Sequence, residues 1–447
     1  MRQKVMLCLL SLLFLLTGCS LQKSEVVQSS NEIIEAMEPE AVIEYEVPGS
    51  VPGILVNQAG YDIKSEKKAV FRGENLPETF RVYHAESKKM IYEGEVEEKG
   101  YDEVTGERLA YGSFQDINTP GEYYIEADIL GYSYPFSIGS EVYREVLNNS
   151  IQQFYEKIKN KTVLTVEEIR SDCEVVIILL LASELHGNAF GDAMGITESG
   201  NNIPDLTDVL FKEINLLMEQ REKVLLSEDW ELVSYYAAAM AKFSYTYKEY
   251  DSVFATECLQ LADAVWNYME KNGRSADRDM RFLAATELYR ASGRQKYHYF
   301  IKEYGAEENV LESRESVYGA VTYLSTRQSV NIDLCSAFMK IIMEKAEKIA
   351  ADSKTSFYQI NLNSDSEEIL WNMVVFTVVD KVISNHEYDM VIENHLHYFL
   401  GRNPSAVSFV DGVGVCNYAE GGQDLVLDGG FKEAAFLFIL SEVNDKV

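Results

Sequence analysis

The sequence predicts a chain of two folded domains, a β-sandwich followed by an all-α domain, set behind an export segment and an acidic linker. Three observations carry this. From Gly53 onward, short apolar–polar alternations recur between Gly, Asn, Pro and Asp residues. After Tyr143 the texture changes, and apolar residues recur every three and four positions. With 447 residues, of which 47% are hydrophobic and 25% charged, the chain has length and apolar content for two separate cores.

The N-terminus, MRQKVMLCLLSLLFLLTGCS, places Arg2 and Lys4 ahead of an apolar run from Val5 to Leu16. That order is the order of a secretory signal, and the run is too short to remain as a membrane-spanning helix. Its ending, Leu16-Thr17-Gly18-Cys19, resembles a bacterial lipobox. The resemblance implies removal of residues 1–18, lipidation of the Cys19 thiol, and a protein anchored by lipid in a bacterial cell envelope, facing away from the cytoplasm. Residues 19–50 are rich in Glu and Ser without a sustained apolar period, as expected of a solvated tether.

Residues 51–140 hold the segments ILVNQAG, KKAVFRG, FRVYHA, MIYEGEV, GEYYIEAD and YSYPFSIG. Regular short strands between turn signals predict an antiparallel sandwich of about 90 residues. Residues 141–447 carry amphipathic segments from VYREVLNNSIQQFYEKI to FKEAAFLFILSEV, several of them apolar on more than one face. Counting weaker segments near 296–304 and 314–326 predicts about twelve helices, joined by short loops to neighbours that bury their stripes.

The formal net charge of −32 gives a negative surface, which excludes nucleic acid and anionic lipid head groups as partners and favours a neutral or cationic one. Beyond Cys8 and Cys19 the cysteines are Cys173, Cys258, Cys335 and Cys416, without a CxxC or Cys/His cluster. They read as four separate thiols rather than a zinc site or a disulfide framework.

The segments ILVNQAGYDIKSEKKAVF and GSFQDINTPGEYYIEADILGYSYPFSIG resemble the immunoglobulin-like module that precedes the catalytic domain in many glycoside hydrolase family 9 endoglucanases. LLLASELHGNAFGDAMGITESGNNIPDLTD, AATELYRASG, LWNMVV and HYFLGRNPSAVSFVDGVG resemble later segments of the same family, in the family's order. The resemblance implies an immunoglobulin-like β-sandwich followed by an (α/α)6 barrel of twelve helices in two concentric rings. It also implies cleavage of β-1,4-glucan with inversion, by one carboxylate that activates water and one carboxylic acid that protonates the leaving oxygen, about 6.5–9.5 Å apart.

The family's base comes from a glycine-rich loop with two aspartates just before the helix that here reads VVIILLLASEL. Between Thr162 and Val175 this chain has only VLTVEEIRSDCE, without glycine or aromatic residue. Asp172 and Glu174 are the carboxylates nearest the place. They read either as a relic of the base or, with Ser171, as the N-cap and first-turn acid of a buried helix. The family's acid is a Glu ahead of the last apolar helix; the corresponding position falls near Leu427, flanked by Asp424 and Asp428, with Glu433 following on the helix. The family's His-His-Arg cluster should follow SFVDGVG, where this chain has VCNYAEGGQ, leaving Tyr418 and Glu420 as candidate sugar contacts. His386, His395 and His397 lie on or beside a helix without metal-ligand spacing and read as surface or packing residues.

Elements of a sugar cleft remain. Trp371 with Asn372 matches a family position near the cleft, and Arg402-Asn403-Pro404 matches the loop leading to it. Trp371, Tyr358 and Trp230 are candidate stacking platforms, with core packing as the alternative for each. The acidic loop GDAMGITESGNN resembles surface loops that hold structural calcium in the family, though its spacing is not that of an EF-hand, and no other cofactor is implied. The expected function is therefore β-glucan binding on a family 9 scaffold with hydrolysis impaired or absent. An active inverting endoglucanase using relocated carboxylates, Asp172 and Asp428 among them, is one alternative, and a scaffolding lipoprotein is another.

Overall fold

A computed structural model describes residues 45–447 apart from 104, 273–276, 362–364, 384–387, 416–426, 428 and 446–447. Cys19 therefore lies outside the described residues. Ten short strands form two sheets: β1 (Ile54–Leu55), β3 (Lys68–Gly73), β7 (Glu107–Ser113) and β6 (Glu97–Asp102) in one, and β2 (Gly60–Tyr61), β10 (Phe136–Ile138), β8 (Gly121–Ala127), β4 (Thr79–His84) and β5 (Met90–Glu95) in the other, with β9 (Gly131–Tyr132) on β8. Alternation puts Phe71 of one sheet against Phe80 of the other, and Tyr61, Phe114 and Phe136 close the core.

The expectation of an all-antiparallel sandwich fails at one pair, since β10 runs parallel to β2. These strands are the first and last of their sheet in sequence, so no hairpin imposes their direction. Gly60 makes the pairing possible: its φ is +123°, and a Cβ there would strike the Ser137 carbonyl.

Thirteen helices are present among the described residues: α1 (Val142–Lys159), α2 (Val166–Leu185), α3 (Asp205–Glu219), a short α4 (Arg221–Leu226), α5 (Trp230–Thr246), α6 (Ser252–Asn272), α7 (Arg278–Ser292), α8 (Gln295–Gly305), α9 (Arg314–Ser325), α10 (Ile332–Thr355), α11 (Ser366–Ile383), α12 (Asp389–Phe399) and α13 (Gly430–Asp445). Helices α2, α5, α7, α9, α11 and α13 form the inner ring, with α13 packed back against α2. They are the segments buried on nearly every side: in α2 an unbroken run from Val175 to Ala182 has no face toward water. Helices α1, α3, α6, α8, α10 and α12 cover them from outside with one apolar stripe each. Leaving α4 aside, this is the (α/α)6 barrel with its immunoglobulin-like module.

The placing of the N-cap at Ser171 or Asp172 is overturned. Thr165 caps α2: its side chain accepts from the Glu168 N–H, and Glu168 returns the bond to the Thr165 N–H. The helix thus begins before the apolar run, and Ser171 to Glu174 lie inside its second and third turns. The physical reason is that a reciprocal capping box satisfies two terminal donors at once, which a lone Ser or Asp farther along does not.

The two modules are held together by segments that looked most characteristic in sequence. The Gln58 N–H donates to Leu400 O at 2.8 Å and its side-chain amide to Ala406 O at 2.7 Å, while Asn57 Nδ2 meets His397 Nδ1 at 3.0 Å. ILVNQAG and HYFLGRNPSA are thus two halves of one buried seam. Among the described residues no helix is long and apolar enough to cross a membrane.

Candidate functional site

The N-terminal ends of the inner helices meet at one end of the barrel, where exposed backbone N–H groups make carboxylates favourable. The contacts between them locate the mouth. Arg170 of α2 pairs with Asp229, the N-cap of α5, and with Glu231 at 2.9 Å. Arg314, the first residue of α9, lies 3.8 Å from Glu174 of α2 and 3.7 Å from Glu367 of α11, with its guanidinium 4.1 Å from the centroid of the Phe431 ring of α13. Tyr235 of α5 donates to Glu315. Three carboxylates, Glu174, Glu315 and Glu367, therefore surround one guanidinium.

Desolvation of the partly buried Glu174 pushes its carboxyl up to about 7; Glu315 and Glu367 push the same way and Arg314 opposes them. Beside this cluster runs a cleft of about 740 Å³, lined by the starts of α9 and α11 and by α10, with Trp371 and Asn372 on its wall. Trp371 meets Tyr318 of α9 edge to face, ring centroids 5.2 Å apart. Of the residues expected from sequence, Trp371 and Asn372 are thus in a cleft. Arg314, Glu315, Glu367 and Tyr318 were not anticipated. The sequence signal available was an N-cap Ser313 followed by adjacent opposite charges, a pattern that most surface helices share.

Asp172 is not in the mouth. It faces outward from α2 into a buried contact with Lys161, 2.6 Å from Nζ, which it shares with Glu213 of α3 at 3.4 Å. Burial raises the Glu213 carboxyl, Asp172 adds to the rise and Lys161 opposes it. A carboxylate spent on a lysine in a closed interhelical space has no route to a substrate. Its assignment as catalytic is corrected to an interhelical ion pair. The reason lies in helix phase: two residues apart on α2, Asp172 and Glu174 point about 200° apart, so only one of them faces the mouth.

Arg402 is also corrected. It is 2% exposed, donates to Asn394 Oδ1 at 2.6 Å and reaches Lys68 O of β3 at 3.4 Å, so it belongs to the module seam. The neighbouring Asn403 donates to Tyr398 O and Val407 O, both at 2.7 Å, and holds the turn itself. Arg402→Ala is expected to lower stability by about 2–4 kcal/mol, the range for stranding a buried hydrogen-bonded partner. Urea unfolding measures it, and cello-oligosaccharide affinity should not change.

Tyr358 is buried against Tyr398 at the same seam, whereas Trp230 is half-buried and packs on Tyr268 of α6. His395 is buried and neutral, held well below its ordinary value at about 4 by burial; its Nδ1 bonds Val391 O, and Asn361 N donates to Nε2. His397 is likewise buried, with its pKa lowered first by desolvation and then by Arg402. Glu433, on the first turn of α13, lies 3.0 Å from Lys157. Tyr418, Glu420, Asp424, Asp428, His386 and Cys416 fall outside the described residues. Cys173, Cys258 and Cys335 are free thiols.

The acidic loop is braced by its own carboxylates. Asp192 accepts the N–H groups of Gly200, Asn201 and Asn202, and Asp205 Oδ2 accepts from Met194 N and Ser199 Oγ, so these oxygens brace the loop's own backbone. Among the described residues, three carboxylates come within metal-binding reach of one another at Asp380, Asp389 and Glu442, away from that loop.

Comparison with known proteins agrees with this architecture. A model of the cellulase N-terminal ig-like domain matches residues 50–131, and one of glycosyl hydrolase family 9 matches residues 217–420, short of α1, α2, most of α3 and α13. A cellodextrinase of Butyrivibrio fibrisolvens is 22% identical over 471 aligned residues, which cover 81% of this chain and 85% of that protein. Among solved structures, a metagenome-derived glycoside hydrolase family 9 endoglucanase superposes with a TM-score of 0.76 at 19% identity, covering 88% of this chain and 99% of its own. A family 9 protein of Bacteroides ovatus gives 0.71 at 16% identity, covering 88% and 98%. Fold, module order and sequence models converge on glycoside hydrolase family 9 with an N-terminal immunoglobulin-like module.

Proposed function

We propose that this protein binds β-1,4-glucan chains in the barrel mouth while hydrolysing them weakly or not at all, and that a lipid on Cys19 tethers it to a bacterial envelope. The substrate class is supported by the family and by the relatives called cellodextrinase and endoglucanase. One observation carries the loss of hydrolysis. Helix α1 ends at Lys159 and α2 starts at Val166, and the connection 160–165 reads NKTVLT, without a carboxylate, where the family resemblance puts the base-bearing loop. Without a base to take a proton from the attacking water, an inverting displacement loses a large part of its acceleration.

A second reading, residual hydrolysis by relocated groups, draws support from Glu174. A partly buried carboxyl near pH 7 suits a proton donor, and Glu367 stands across the planar Arg314 fork, the two carboxyls within about 10 Å of each other. Reducing-end release from cello-oligosaccharides separates the two: the first reading expects turnover at the level of a Glu174→Gln control, whereas the second expects turnover that this substitution abolishes. The tether is tested by Cys19→Ser, which should move the protein from the membrane fraction to the soluble exported fraction on immunoblotting. Unchanged membrane retention contradicts it.

A further inference from the structure

We propose that His397 and Asn57 form a pH-sensitive latch, by which the immunoglobulin-like module holds or releases the barrel loop 400–415 through Gln58. The side chain of Asn57 has one orientation: its Oδ1 accepts from the Ala59 N–H at 3.0 Å and from the Gly60 N–H at 3.1 Å. Its Nδ2 is therefore the atom facing His397 Nδ1 at 3.0 Å, and an amide nitrogen only donates. Nδ1 must then be the acceptor, which requires a neutral imidazole with its proton on Nε2, beside the Glu66 backbone. A proton added to Nδ1 sets one donor against another and breaks the bond.

The groups around the ring do not compensate. Tyr143 Oη of α1 stands 3.5 Å from Nδ1, at the limit of reach, and the Tyr61 ring of β2 packs on the imidazole, centroids 4.9 Å apart. Arg402 and Lys68 bring positive charge. Glu66 is paired with Lys68 at 2.8 Å, and Glu393 and Asp62 lie farther off, beside Tyr143. His395, two residues back on α12, belongs to the barrel, where it bonds Val391 O and Asn361 N. An imidazolium in this seam thus meets two cations and an amide donor.

What the latch holds is the next residue. Gln58 passes between Gly401 and Gly414, where a Cβ would come within 2.6 and 2.8 Å of its side chain. Its N–H donates to Leu400 O at 2.8 Å, its Nε2 donates to Ala406 O at 2.7 Å, and its Oε1 accepts from the Val415 N–H at 3.0 Å. One residue of the sandwich therefore holds both ends and the middle of the loop. Phe409, Val410 and Asp411 of that loop line a cleft of about 370 Å³ beside α1 and α13, so a loosened seam alters a wall of the barrel whatever the barrel binds. Linkage sets the direction. With the seam open His397 has the ordinary histidine value of about 6.5, whereas in the closed seam burial and then Arg402 hold it well below. Closure is fully favoured above that value, and below it the open-to-closed ratio rises about tenfold per pH unit.

Hydrogen–deuterium exchange of the full chain tests the latch, read as protection factors of the Gln58 and Val415 amides with intrinsic exchange rates divided out. In the wild type both should fall about thirtyfold between pH 7.5 and pH 5, while Val176 inside α2 keeps its protection. His397→Gln leaves Asn57 an acceptor that does not titrate, so its protection should fall less than about threefold over the same range. Asn57→Asp reverses the polarity: its carboxylate accepts from the protonated ring, so protection should rise in acid, an inversion that a merely structural role does not produce. That variant also keeps the test open if His397→Gln folds poorly. Wild-type protection that stays level, a fall just as steep in His397→Gln, or a fall in Asn57→Asp overturns the latch. Protection lost at Val176 in step with Gln58 means global unfolding and overturns it as well.

Discussion

Supplied with cellohexaose at neutral pH, the protein is expected to release reducing ends at least about 10³-fold more slowly than an active family 9 endoglucanase assayed beside it. The size follows from the chemistry: general base and general acid each contribute about 10²–10⁴, and the connection 160–165, NKTVLT, carries no carboxylate. Asp172, a carboxylate close by in sequence, is held by Lys161 on the far side of α2. Asp172→Asn should therefore leave both glycan affinity and residual turnover unchanged. Turnover comparable with the reference enzyme, or abolished by Asp172→Asn, would show that the ion pair is not where this carboxylate acts.

Lys161→Ala is expected to cost about 3–5 kcal/mol at pH 8, the range for breaking a buried ion pair and leaving charge uncompensated. Lys161 is the cation shared by Asp172 and Glu213, both buried. The pH dependence has a definite sign. Burial, with Asp172 beside it, raises the Glu213 carboxyl above its unfolded value, so the folded state favours the protonated form. Stability from that proton is fully present below the ordinary carboxylate range and is lost as pH rises through the raised value. The variant should thus lose less at pH 5, where one acid of the pair is neutral, than at pH 8. Urea unfolding at the two pH values checks this; an equal loss at both, or a loss below about 1 kcal/mol, contradicts the arrangement.

How far the sequence reveals such a molecule depends on the range of the interaction. Strand alternation and helical spacing are local, and they foretold the sandwich, the helical domain and even the weak segments that became α8 and α9. The capping box at Thr165 and Glu168 is equally local, but a long apolar run beginning at Val175 drew the helix start toward itself. The role of Asp172 was not readable because its partners come from eleven residues upstream and from α3. Arg402 shows the same limit: a motif typical of a cleft loop and a buried seam residue look identical until the Lys68 carbonyl is seen beside it. The Arg314 cluster gathers residues from α2, α9, α11 and α13, whose convergence exists only once the ring has closed. By contrast, Trp371 was legible through resemblance, since Trp371 with Asn372 matches a family position near the cleft, and both line a cleft wall here.

The claim that this barrel holds a glucan without cutting it is tested most directly by one titration: cellotetraose into the full chain in a calorimeter, with the cell contents then separated by chromatography. Saturable heat from one site is expected, with tetraose recovered intact after hours at 37 °C. Tetraose recovered as cellobiose and glucose, or a titration without heat of binding, would contradict it.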